Sequence, residues 1–138
     1  MSITDFCTRR AAATADAAAP DGSEVRLLCA TPRGGMALFT LAPGMVSKAV
    51  AHRSVEEIWY FTRGRGRMWR QDATREEIVE IGPGLSIAIP AGTRFQFRSE
   101  GEEAIEAVGV TMPPWPGMDE AYVVEGIWPA TFDAGDAG

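Results

Sequence analysis

The chain has 138 residues, 46% of them apolar and 23% charged, the balance of an ordinary globular domain long enough to bury a core. A net charge of -6 and an isoelectric point of about 4.8 exclude nucleic acid as a partner, because binding it needs a clustered basic face. No apolar run approaches the roughly 18 residues that span a bilayer, so no membrane partner is expected.

Residues 1–22 form a first segment. DFCTRRAAATADAAAP is rich in the best helix former and is closed by Pro20 and Gly22, which predicts a short N-terminal helix or a loose arm. Its twin arginines and alanines resemble an export signal only superficially, since Asp16 breaks the run and no Leu, Val or Ile supplies an apolar centre. The two cysteines, Cys7 and Cys29, make no CxxC pair, so a reduced cytoplasmic protein is the expectation. Cys29, inside RLLCA, reads as a small core residue.

From Glu24 the texture changes. EVRLLCATP, GMALFTLAPG, EEIWYFTRG, GRMWRQD, EEIVEIGPG, LSIAIPAG, TRFQFRSEG and EAIEAVGVTMPP are short segments, each closed by Gly, Pro, Asp or Ser. Several alternate with period two, as in R-F-Q-F-R and E-I-V-E-I, and such strands with frequent turns indicate an all-β sandwich or barrel. Residues 23–132 are read as one barrel domain and 133–138 as a frayed tail. Gly64 and Gly66 mark a hairpin turn and not a phosphate loop, because neither GxGxxG nor GxxxxGK[ST] is present. Arg63, Arg65, Arg67 and Arg70 read as solvent-facing hairpin charges opposite Glu76, Glu77 and Glu80.

Within this frame His52 is the one histidine of the chain, in VAHRSVEE. A separation of five would place His52 and Glu57 on opposite faces of an unbroken strand. The framework around them resembles the cupin superfamily. Its first motif, G-x5-H-x-H-x(3,4)-E-x6-G, is matched in spacing by Gly44, Val50, His52, Glu57 and Gly64. Its second, G-x5-P-x-G-x2-H-x3-N, is matched by Gly84, Pro90, Gly92, Phe95 and Ser99. The resemblance implies a double-stranded β-helix, a jelly-roll barrel, and a bend at Arg53–Ser54 that returns Glu57 to the inner face. It also implies that metal-binding relatives use two histidines and a glutamate from the first motif and a histidine from the second. Here Val50 and Phe95 stand at two of those four positions.

Three readings of His52 and Glu57 are open. The pair could be a reduced site for a divalent transition metal, serving a dioxygenase or lyase, although a firm site takes about three or four protein ligands. It could instead be a metal-free acid/base pair for isomerisation, cyclisation or elimination, with no cofactor; some sugar-nucleotide epimerases of the superfamily use a histidine-centred base, and the chain is similar to them in fold and in keeping one histidine. Or the barrel binds or senses a ligand without converting it, or is purely structural. If Glu57 points inward, alternation takes Trp59 and Phe61 with it. With Val50, Met68, Phe95, Phe97 and Met112 they would line an apolar pocket for a small organic molecule, and Arg70 could join them. TMPPWPG ends a strand, with Trp115 placed at the barrel mouth or on a partner, and the resemblance implies a homodimer.

Overall fold

The computed structural model describes residues 6–117 and 119–132. It is all-β, in two antiparallel sheets. The first sheet has the order β1 (Ala17–Ala18), β2 (Glu24–Thr31), β3 (Gly34–Leu41), β10 (Ile105–Met112), β5 (Glu56–Arg63) and β8 (Ser86–Ile89). The second has the order β11 (Ala121–Val123), β4 (Val50–His52), β9 (Arg94–Ser99), β6 (Gly66–Gln71) and β7 (Glu76–Ile81). The two sheets fold over one another as a double-stranded β-helix.

Alternation sets which face is buried. Along β5 the odd residues Glu57, Trp59 and Phe61 are buried, while Ile58 and Tyr60 stay half exposed. Phe95 and Phe97 on β9, Met68 on β6 and Ile105 on β10 complete a core in which Phe61 and Met68 have no exposure at all. Burying each such side chain is worth about 1.5–3 kcal/mol, which is why a one-residue register slip is not tolerated.

Turn chemistry fixes the register. Gly64 has φ +85°, and a Cβ there would stand 2.5 Å from the Ala104 carbonyl oxygen, so only glycine fits the β5–β6 hairpin. Gly92 closes the Pro90 turn with φ +81°, and its N–H donates to the His52 carbonyl at 2.8 Å. The second glycine motif therefore holds the backbone of the first. Of the hairpin arginines, Arg63, Arg65 and Arg67 are exposed, Arg67 opposite Glu80, whereas Arg70 lies across from Phe95, half buried and paired with Glu77 at 3.1 Å.

The expected N-terminal helix is not formed among the described residues. The arm is extended, and Ala17 and Ala18 pair with Val25 and Glu24 of β2. A short alanine helix without an apolar face to bury is marginal in water. The open edge of β2 offers more: Asp16 N–H donates to Val25 O and Leu27 N–H donates to the Asp16 carboxylate, both at 2.8 Å. Cys29 is half buried at this junction and not in the core. The tail expected over residues 133–138 lies outside the described residues, as do residues 1–5.

The C-terminal strap crosses the second sheet. Gln96, which alternation assigns to the outer face, is buried beneath it. Its Nε2 donates to Ser47 O and Trp128 O, both at 2.8 Å, and its Oε1 accepts from the N–H groups of Ile127 and Trp128, both at 3.1 Å. Among the described residues no helix is long and apolar enough to cross a membrane.

Candidate functional site

The two glycine motifs bring His52 and Glu57 together. His52 ends β4, the chain bends at Arg53 and Ser54, and Glu57 enters β5 on the inner face. Glu120 holds the bend. Its carboxylate accepts from Ser54 N–H at 2.7 Å, Ser54 Oγ–H at 2.5 Å and Val55 N–H at 3.1 Å. Burial works to raise the Glu120 pKa, but these hydrogen bonds outweigh it and hold the group below its ordinary value.

His52 Nδ1 lies 4.0 Å from Glu57 Oε2, and each residue is 4% exposed. That distance would admit an ion pair, but desolvation keeps both groups neutral. Burial lowers His52 to about 4, against the opposing charge of Glu120 and a contact to the Val55 backbone. Burial raises Glu57 to about 8, although Trp59 Nε1–H donates to its Oε2 at 3.0 Å. Between these values an uncharged imidazole faces an uncharged carboxylic acid. His52 Nδ1 is buried with no hydrogen-bond partner, which is costly unless a ligand or solvent completes it.

The pair sits in a cavity of about 390 Å³. Phe39 and Trp59 stack at 4.9 Å between ring centroids, and Phe95 meets His52 edge-on at 5.3 Å. Trp115, from the proline-rich segment after β10, meets His52 edge-on at 5.0 Å, placing it at the mouth. This mostly apolar lining with a few polar groups has the size and composition of a small-molecule pocket.

Of the residues read from the sequence as pocket-lining, Val50, Trp59 and Phe95 face this cavity with His52 and Glu57. Phe61, Met68 and Phe97 pack behind it in the core, and Met112 lies outside it. Arg70 turns away, donating to Ala88 O at 2.7 Å. Apolar contributors such as Phe39 and Met36 were not foreseen, and neither were three polar ones. Asp21 is buried at the end of the arm, where its carboxylate accepts from Ser23 N–H at 2.9 Å and Ser23 Oγ–H at 2.7 Å. Burial nonetheless raises its pKa. Thr111 and Arg9 also line the space. The Asp-Gly-Ser stretch is the sequence signal for a turn at Asp21, and it overlaps the Pro20 and Gly22 that predict the end of a helix.

The donor set does not fit a firm metal centre. Val50 and Phe95 are cross-strand partners and both face the cavity, so two of the four positions carry hydrocarbon. Neither cysteine lines the space. Among the described residues no group of three His, Cys, Asp or Glu side chains converges.

The cupin domain model matches residues 37–111, more than half of the chain. No curated protein matches. Among solved structures, oxalate decarboxylase from Bacillus subtilis superposes with a TM-score of 0.72 at 17% identity, over 88% of this chain and 33% of that one. The capsular polysaccharide assembling protein CapF from Staphylococcus aureus gives 0.64 at 18% identity, over 75% of this chain and 32% of that one. BH2720 from Bacillus halodurans gives 0.60 at 20% identity, over 72% and 75%. The chain thus spans about a third of the length of the first two, and at these identities the likeness is one of fold. The double-stranded β-helix, the paired glycine frameworks and the matched domain agree: this chain belongs to the cupin family.

Proposed function

We propose that the barrel binds a small, largely apolar organic molecule and that His52 and Glu57 act on it as a metal-independent acid/base pair. The observation that carries this reading is the buried, unpartnered Nδ1 of His52 in an aromatic cavity, 4.0 Å from a carboxyl oxygen. A neutral imidazole can accept a proton from a carbon acid while the neutral carboxylic acid delivers one to a neighbouring atom. The imidazolium and carboxylate this leaves lie side by side and return to the neutral pair when one proton passes back between them, so no net charge enters the dry site, which suits isomerisation, cyclisation or elimination. The aromatic walls would hold the apolar body of the ligand.

The test has two stages. Small aromatic and alicyclic hydroxy and carbonyl compounds are screened for thermal stabilisation of the protein, and hits are followed for conversion by NMR. A ligand that stabilises the wild type and is converted, with turnover lost in His52→Ala while the fold survives, supports the proposal. Full turnover in His52→Ala refutes the acid/base role, and stabilisation without product leaves a binding protein.

A further inference from the structure

The arm and the barrel meet at the two cysteines of the chain, Cys7 and Cys29. We propose that Cys7 and Cys29 form a reversible intramolecular disulfide that clamps the N-terminal arm onto β2 and closes the cavity wall that the arm supplies. This rests on the packing of the arm and not on the chemistry assigned to His52.

The Cys29 Sγ–H donates to the Cys7 carbonyl at 3.4 Å, which brings its side chain onto Cys7. That contact, with burial, raises the Cys29 pKa. Both residues are half buried, so a small oxidant can reach them. Further ties of the arm run to β2: Arg26 donates to Ala12 O at 2.9 Å and to Ala13 O at 3.2 Å, and Asp16 bonds Val25 and Leu27. Residues 8–14 are exposed and belong to no strand, so in the dithiol form little burial holds this stretch down. The same arm contributes Arg9 and residues 17–21 to the cavity wall. A covalent link at the far end of the arm therefore restrains one side of the cavity.

The oxidant is a low-molecular-weight disulfide. The Cys7 thiolate attacks it and expels one thiolate, forming a mixed disulfide. Cys29, once its thiol has given up its proton, attacks the Cys7 sulfur and expels the second. Two protein thiols are oxidised to one disulfide, the small disulfide is reduced to two thiols, and excess small thiol reverses both steps.

The experiment equilibrates the full-length protein in buffers of reduced and oxidised glutathione, traps free thiols by alkylation and maps peptides by mass spectrometry. Amide hydrogen exchange is followed at Asp16 and Leu27 in the same samples. The expected result is loss of both thiols together, with a Cys7–Cys29 linked peptide. Exchange at those amides should slow by about tenfold or more in the oxidised form, and should not slow in Cys29→Ser in the same buffer. Separate glutathione capping of each thiol, links between chains, or two free thiols in the most oxidising buffer would overturn the disulfide. A linked peptide with unchanged exchange at Leu27 would overturn the clamp.

Discussion

Val50 and Phe95 are direct partners across β4 and β9, and both face the cavity that holds His52 and Glu57. Two hydrocarbon side chains occupy the places from which the cupin framework can present imidazoles. Restoring them tests whether the frame itself is intact. The Val50→His, Phe95→His double variant is expected to hold about one equivalent of nickel or zinc after dialysis, since four donors then converge. Wild type treated identically is expected to hold far less. Elemental mass spectrometry makes the comparison, and equal metal in both proteins would show that the two native donors suffice.

The neutral pair makes stability depend on pH in two windows. His52 falls from 6.5 in the unfolded chain to about 4 in the fold, so the unfolded state binds more protons between those values and acid destabilises through His52. Glu57 rises from 4.5 to about 8, so the native state keeps a proton that the unfolded state has lost, and stability falls as pH rises across that range. The two slopes oppose each other between pH 4.5 and 6.5. From pH 6.5 to 8 only the Glu57 slope remains, at up to about 1.4 kcal/mol per pH unit. Urea midpoints at those two pH values should therefore differ in wild type and converge in Glu57→Gln. A Glu57→Gln variant that loses as much stability as wild type would show that Glu57 is ionised in the fold.

Glu120 satisfies three donors of the bend that turns Glu57 inward. Glu120→Ala strands them, at an expected cost of about 2–4 kcal/mol. Glu120→Gln keeps an acceptor and should cost less. Chemical denaturation gives both values, and an Ala variant within about 0.5 kcal/mol of wild type would mean that the bend holds itself.

Trp115 is 38% exposed and closes on His52 from the cavity mouth. Trp115→Ala is expected to weaken an apolar fluorescent probe bound in the cavity by about tenfold, the effect of one aromatic contact, with little change in unfolding midpoint. Unchanged probe affinity would place the mouth elsewhere.

The barrel was legible because its determinants are local in sequence. Period-two alternation announces which of Glu57, Ile58, Trp59 and Tyr60 face inward, and Gly64 and Gly92 mark turns that other residues cannot make. The pairing of His52 with Glu57 needed the family framework as well, since alternation alone separates them. What was not legible depends on distant partners. Alanine propensity predicts a helix for the arm, while the unpaired edge of β2 decides its conformation. Phe61, Met68 and Phe97 share the inward face with true cavity residues, and only the depth of the barrel separates core from lining. Gln96 sits where alternation calls for solvent and is buried because the C-terminal strap lies over it.

That strap is read through its backbone. Gln96 recognises two N–H groups and one carbonyl of the strap, and Gly126 lets it pass, since a Cβ there would stand 2.3 Å from the Gln96 Oε1. The stretch from Gly126 to Trp128 is thus docked from one position on β9, while further along the strap Thr131 bonds the Val46 backbone through its hydroxyl and Phe132 packs on the core. Substitutions at Glu125 or Ile127 leave the recognised groups in place, whereas Gln96→Leu erases them together. Glu125 and Ile127 can therefore drift in sequence while a single amide on the barrel preserves the path of the backbone between them.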